Sequence, residues 1–332
     1  MNYTEERKVN MKKHIVKLLT IVVFCVAILF SSKETQAAKN TVEFINVAYD
    51  ANTGNDGTGR GDAALVYFKD NYFLIDAGCG CNFGASNDPL TKRLKQLENS
   101  NKYLKAIIIS HNHWDHYGAV NSILNTKVVN KNTTIYYCST YVPNKVGFQS
   151  MLNNAKSKGI KTQGIPKGSI YNANTGNKNT YDTVKNNNDA LYIYGAAMSL
   201  VKNDEYWENQ SSMVVQLKSD NINAIFLGDL YLRGLDAMNE QYGNLLTKPD
   251  YTVCKVGHHG IRGTDISKAN MDNEYKRFYS LLNAKNFVYT STKAKAQSAK
   301  YAANHNYLNS LLCSKAGTKS WYSDDSKMPI FK

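Results

Sequence analysis

Within the stretch SHNHWDHYG, Ser110 to Gly118, six positions hold His111, His113, Asp115 and His116. Imidazole nitrogens and a carboxylate are borderline ligands that suit Zn²⁺, and less strongly Fe or Mn. The apolar run AIII before them, Ala106 to Ile109, predicts a buried strand, and the histidines begin where it ends. Alternate side chains share one side while the chain stays extended, so His111 and His113 can grip one ion together. A turn into a helix near Gly118 then offers Asp115 and His116 to a neighbouring point. The seven histidines are His14, His111, His113, His116, His258, His259 and His305. His14 falls in an N-terminal leader; the other six are expected to converge on one site.

Strand-like runs that could position such a site recur along the chain: TVEFINVAY, DAALVYF, NYFLIDAG, LKAIIISH, TTIYYC, SSMVVQL, INAIFLGDL, YTVCKVGHH and NFVYTST. Between them lie helical candidates, among them DPLTKRLKQLENS, VGFQSMLNNAKSKG, GLDAMNEQYGNLL and NEYKRFYSLLN. A strand-heavy first third followed by alternating strands and helices predicts an α/β fold of two sheets back to back with helices outside, a four-layer αββα sandwich. The segment from Gly164 to Asn188 is rich in Gly, Asn, Thr and Pro and reads as a mobile loop, a pair of edge strands or an insertion. GTGRG, Gly57 to Gly61, is not followed by a helix, which argues against a dinucleotide site.

Residues 1–37 have the layout of a secretory signal peptide: Lys12, Lys13 and Lys17, an apolar stretch from Leu18 to Phe30, then Thr35-Gln36-Ala37. The apolar stretch is shorter than the ~20 residues a spanning helix needs, so cleavage near Ala37-Ala38 and an extracellular location are expected. Residues 38–332 then suit one large domain or two small ones, with ample capacity for a core. The leader carries six Lys/Arg against three Asp/Glu, so about +10 of the formal +13 stays with the mature chain. That charge draws a protein to extracellular polyanions. Five cysteines remain (Cys79, Cys81, Cys138, Cys254 and Cys313), an odd number at irregular spacing and no disulfide framework. Cys79 and Cys81 look too close for an easy mutual bridge, and one of them could pair elsewhere; a partly buried thiol or a disulfide is expected ahead of a metal thiolate.

HNHWDH matches the H-x-H-x-D-H signature of the metallo-β-lactamase superfamily, and the chain resembles that superfamily along its mature length. The resemblance implies the αββα fold with a metal site at the strand ends. It implies Asp76, in YFLIDAG, as a structural carboxylate, and Asp229, in IFLGDL, as a bridging aspartate. In VCKVGHHG it implies His258 or His259 as the last metal ligand. FINV, GDAALV, NQSSMVVQL, FLGDL and KVGHHG are more narrowly similar to the extracellular hydrolase domain of the DNA-uptake protein ComEC and to secreted phosphorylcholine esterases. The segment AYDANTGNDGTGR departs from that pattern as an insertion. So does the absence of any histidine between His116 and His258, where many members supply a third ligand; Asn209 or Ser211 stands near that place.

What this implies is a binuclear zinc site, with Mn or Fe as alternatives: His111, His113 and Asp229 on one ion, Asp115, His116, Asp229 and His258 on the other. Such a pair clamps both oxygens of an in-line phosphoryl displacement. Asp115, His259 and His305 are the catalytic candidates, with His305 placed to protonate a leaving oxygen or hold a phosphate. Trp114 is expected to face substrate. The implied function is a secreted phosphodiesterase acting on an anionic extracellular substrate, either DNA or teichoic acid carrying phosphorylcholine. EYWENQ, Glu205 to Gln210, would suit a cage for a quaternary ammonium. The alternative is a catalytically weak metal-containing binding protein for wall polymer or DNA. A β-lactamase is disfavoured by the missing third histidine.

Overall fold

The computed structural model describes residues 39–47, 61–139, 146–198 and 207–332. The signal-peptide reading, the inserted segment up to residue 60 and the first two residues of EYWENQ lie outside the described residues. Two sheets form. The first holds β1 (Thr41–Phe44), β2 (Ala64–Phe68), β3 (Asn71–Ile75), β4 (Leu104–Ile109), β5 (Thr134–Cys138) and β6 (Lys161–Ile165), in that order. The second holds β7 (Ile170–Asn172), β8 (Lys178–Asn179), β9 (Ala190–Tyr194), β10 (Val214–Lys218), β11 (Ala224–Phe226), β12 (Val253–Lys255), β13 (Asn286–Tyr289) and β14 (Lys319–Tyr322). Its order is β14-β13-β12-β11-β10-β9-β7-β8. In each sheet one half is parallel: β3 to β6 in the first and β11 to β14 in the second.

Strand periodicity divides the core. In β4, Ala106 and Ile108 face the second sheet and join Val42, Phe44, Val215, Leu217 and Phe226. Ile107 and Ile109 face the other way and join Leu94, Leu97, Phe148 and Met151 of the outer helices Pro89–Asn99 and Val146–Ser157. All four β4 residues are fully buried, each isoleucine contributing about 1.5–3 kcal/mol of apolar transfer. On the far side, Leu235, Met238 and Tyr242 of helix Leu232–Tyr242 and Leu308 and Leu312 of helix Ala302–Leu312 cover the second sheet. Three apolar layers between four layers of structure make this the expected αββα sandwich, the metallo-β-lactamase fold.

Helix Pro89–Asn99 shows how the sequence sets an element. Pro89 opens it, the Asp88 side chain accepts from Thr91 N at 2.7 Å, and Leu90, Leu94 and Leu97 recur on the buried face. The Gly164–Asn188 segment holds the end of β6, the antiparallel pair β7 and β8, of which β8 forms the sheet edge, and the short helix Tyr181–Asn186. The cysteine expectation is overturned: Cys79 and Cys81 form a disulfide with each other, Cα atoms 5.4 Å apart. Gly78 (φ 65°) and Gly80 (φ 71°) fold that loop back on itself, which a reading of spacing alone could not supply. Among the described residues no helix is long and apolar enough to cross a membrane.

Candidate metal centre

The site lies where the parallel strands of both sheets end, the usual position for ligands in such sheets. β4 gives way to Ser110 and the histidine stretch, β3 to Asp76, β11 to Gly228 and Asp229, and β12 to the segment from Val256 to His259. Asp62 precedes β2, and Thr290 follows β13.

Asp229 is the meeting point. Its Oδ2 lies 3.3 Å from Nε2 of His116, 3.3 Å from Nε2 of His259 and 3.8 Å from Nε2 of His111. All three Nε2 atoms are buried and have no hydrogen-bond partner. Their Nδ1 atoms are already engaged, His111 with Ser110 Oγ at 3.2 Å, His116 with Asp76 at 2.9 Å and His259 with Asp62 at 2.8 Å. A ring held by Nδ1 presents its Nε2 lone pair, which is how metal-binding histidines are oriented. His113 joins His111 and Asp229 in one group with ligand atoms close together, and Asp62, His116, Asp229 and His259 form another. Asp115 Oδ2 stands 3.3 Å from His259 Nε2.

The charges of the site point the same way. Asp62, Asp76, Asp115 and Asp229 are all buried, and the ammonium buried among them belongs to Lys255. Lys255 Nζ pairs with Asp62 and lies 3.4 Å from Asp229 Oδ1, so Oδ1 is turned to the lysine and Oδ2 to the imidazoles. Burial works against the Lys255 cation, but Asp62 and Asp229 outweigh it and hold its pKa above the usual lysine value. Burial likewise opposes the His259 imidazolium, yet Asp229 and Asp62 push it up to about 10. His116 is raised for the same reason, by Asp229, Asp76 and Asp62 against burial. Burial raises the Asp62 carboxyl, but Lys255, His116 and His259 bring it down to about 2. Buried carboxylates in excess of cations, facing orphaned imidazole nitrogens, fit a divalent metal, which would neutralise the surplus and displace the imidazolium protons.

Several sequence expectations are refined. Of the histidine pair, His259 enters the cluster rather than His258. His258 is partly buried, its Nδ1 lies 3.2 Å from Ile261 O, and its ring packs on Tyr231 at 4.7 Å. His258 lines an open cavity of about 230 Å³ together with His113, Asp115, Asn209, Tyr231 and Lys300. His305 does not reach that cavity: it is fully buried behind the site, Nδ1 2.9 Å from Gly260 O and Nε2 2.7 Å from Tyr322 OH. With both ring nitrogens engaged by the scaffold, it supports the loop carrying His259 instead of meeting a substrate. Trp114 is 41% exposed but is not part of the cavity wall. Asp76 is the expected structural carboxylate, accepting from Ser110 N and Oγ at 2.7 and 2.8 Å. Glu208, read as part of a cation cage, contacts His113 Nε2 instead.

The residues missed from sequence are Asp62, Lys255 and Ser110. GDAALV contained Asp62, and a lysine inside the apolar strand YTVCKVG was the signal for Lys255. A charge in the middle of a buried strand needs a partner.

Residues 56–171 match the family model described as the metallo-beta-lactamase superfamily. No curated protein matches the chain in sequence. Among solved structures, the metallo-beta-lactamase fold protein YhfI from Bacillus subtilis is 12% identical with a TM-score of 0.47, covering 86% of this chain and 96% of its own. Tm1679, a metal-dependent hydrolase of the beta-lactamase superfamily, is 12% identical with a TM-score of 0.48, covering 86% and 96%. Unliganded yeast PDE1 is 11% identical with a TM-score of 0.48, covering 89% of this chain and 100% of its own.

Proposed function

We propose that this chain is a metal-dependent hydrolase of the metallo-β-lactamase superfamily, whose family model matches residues 56–171, and that it acts as a secreted binuclear-zinc phosphodiesterase on an anionic extracellular phosphate ester. One observation carries the reading: three buried, unpartnered imidazole nitrogens converge on one oxygen of Asp229, beside a cavity with a lysine in its wall.

His111, His113 and Asp229 would hold one zinc, and Asp115, His116, Asp229 and His259 the other. The nitrogen and oxygen donor set suits zinc. When bound, such a pair supplies Lewis acidity toward a phosphoryl centre. The chain's own groups do the rest. Lys255 holds Asp229 so that Oδ2 points at the metal positions, and Asp62 and Asp76 fix the His259 and His116 rings. Lys300 brings positive charge to the cavity wall, where a non-bridging phosphate oxygen would sit, and Tyr231 and His258 give the wall a flat aromatic face for the ester group. No histidine lies between His116 and His258 in the chain; Asn209 lines the cavity with His113, Asp115 and Asp229, and its buried Oδ1 has no hydrogen-bond partner. Secretion is supported by the leader's layout, and attraction to a polyanion by the charge of about +10 left on the mature chain.

Metal analysis of purified mature protein should find one to two zinc per chain, and His111→Ala should abolish hydrolysis of bis-(p-nitrophenyl) phosphate. A native protein that binds no divalent metal sinks the proposal. Parallel incubation with single-stranded DNA, plasmid and p-nitrophenyl phosphorylcholine assigns the ester: degraded DNA means a nuclease, released nitrophenol from the phosphorylcholine ester means an esterase.

A further inference from the structure

A second pocket, of about 490 Å³, lies at the opposite end of the second sheet from the metal centre. Helix Tyr181–Asn186, the turn joining β10 to β11, and helix Asn244–Thr247 with Lys248 and Pro249 surround it. β10 runs from Val214, beside the site segment Asn209–Ser212, to Lys218 in the pocket wall, so the two places are separated by roughly 15 Å or more of strand.

Three lysines, Lys185, Lys218 and Lys248, line this pocket, with Asp220 as the acidic side chain in its wall. None of the three pairs with a carboxylate among the described residues, whereas the exposed Lys69 finds Asp189. Lys218 is 7% exposed, and its Nζ donates to the Val184 carbonyl at 3.2 Å. One carbonyl at a helix end satisfies one of three ammonium protons and supplies only a partial negative charge. Burial accordingly pushes the Lys218 amine below its ordinary pKa. An ammonium taken from water without a counter-charge is costly unless an anion completes its surroundings. Asn188, Asn223 and Asn244 add amide groups to the same wall. Point cations set around an open volume larger than the cavity over the metal centre suit a multiply charged tetrahedral oxyanion rather than a single carboxylate.

We infer that this pocket is a second, non-catalytic site that binds phosphate groups. The phosphate can come from two sources, a free small anion or a stretch of a phosphodiester polymer, and the charge of the pocket is the same for both. The inference does not depend on which reaction the metal centre performs, since no residue is shared between the two sites.

Calorimetric titration of the metal-loaded protein with inorganic pyrophosphate should resolve two binding events. One, at the metal centre, competes with bis-(p-nitrophenyl) phosphate hydrolysis; the other does not. Lys218→Met and the exposed pair Lys185→Ala/Lys248→Ala should each weaken the non-competing event at least tenfold, and Lys218→Arg should restore it. If Lys218→Met does not fold, the exposed pair decides alone. Hydrolysis kinetics on a poly(glycerol phosphate) chain then separate the sources. A KM raised several-fold in the variants, with the small diester unchanged, assigns the polymer; an unchanged polymer KM with lost pyrophosphate binding assigns the free anion. A single competing pyrophosphate event, equal in wild type and variants, overturns the inference. Loss of hydrolysis alone would count against the catalytic reading and leave this one standing.

Discussion

Two loops bring histidines to Asp229, and they are built differently. In the first, Ser110 to Gly118, the rings of His111 and His116 are bound by Ser110 itself and by Asp76 at the end of the adjacent strand, while Glu208 is the distant side chain on His113. The second, Gly257 to Ile261, takes left-handed backbone at His258 (φ 49°), His259 (φ 55°) and Gly260 (φ 76°), which side-chain-bearing residues adopt only under constraint. Distant groups supply that constraint. Asp62 and Thr290 hold His259, and His305 takes the Gly260 carbonyl region. Arg262, fully buried, donates to Gly257 O at 2.8 Å and Ile261 O at 3.0 Å while paired with Glu274 at 2.8 Å. The same guanidinium stacks on Tyr231, 4.9 Å from its ring centre, in the cavity wall. One loop is a motif; the other is an outcome of packing.

Substitutions can break or sharpen that contrast. The largest effect should come from Asp229→Ala, which removes the oxygen both loops share. It should strip bound metal and lower kcat/KM by roughly 10⁴-fold, about 5 kcal/mol. Atomic absorption alongside diester hydrolysis checks this, and retained metal would show that the loops do not meet at Asp229.

Next, His259→Ala should cost about one metal per chain and roughly 10³-fold in kcat/KM, about 4 kcal/mol. His258→Ala should keep the wild-type metal content and act chiefly on KM. Equal metal loss in both variants would mean that the pair had been assigned the wrong way round.

Glu274→Gln leaves the Arg262 cation buried without its carboxylate and should lower unfolding stability by about 3 kcal/mol. Denaturant melts measure it directly, and a shift below half that size would show the second loop to be less dependent on its scaffold than argued. Ser110→Ala should do least: about 1 kcal/mol from lost hydrogen bonds, with metal affinity weakened by about tenfold through the freed His111 and His116 rings. If Ser110→Ala destabilises the fold more than Glu274→Gln, the contrast between local and distant support fails.

The sequence alone determined the strand ending at Ile109, the four donors after it and the layered α/β architecture. These depend on local spacing: alternation along a strand fixes faces, and a dense run of donors fixes chemistry. Asp76 and Asp229, named through resemblance, lie at this cluster, Asp76 on Ser110 and Asp229 facing the imidazoles of His111, His116 and His259. Tertiary structure decided what spacing could not. It selected His259 over His258, because left-handed backbone swings one ring toward Asp229 and the other onto Tyr231. It buried His305 behind the loop and closed Cys79 on Cys81 through two glycine turns. It also recruited Asp62 and Lys255, far from the histidine motif in sequence. Buried charges are chosen by what surrounds them in three dimensions, because each must find its counter-charge wherever the fold places it, and no local pattern carries that information.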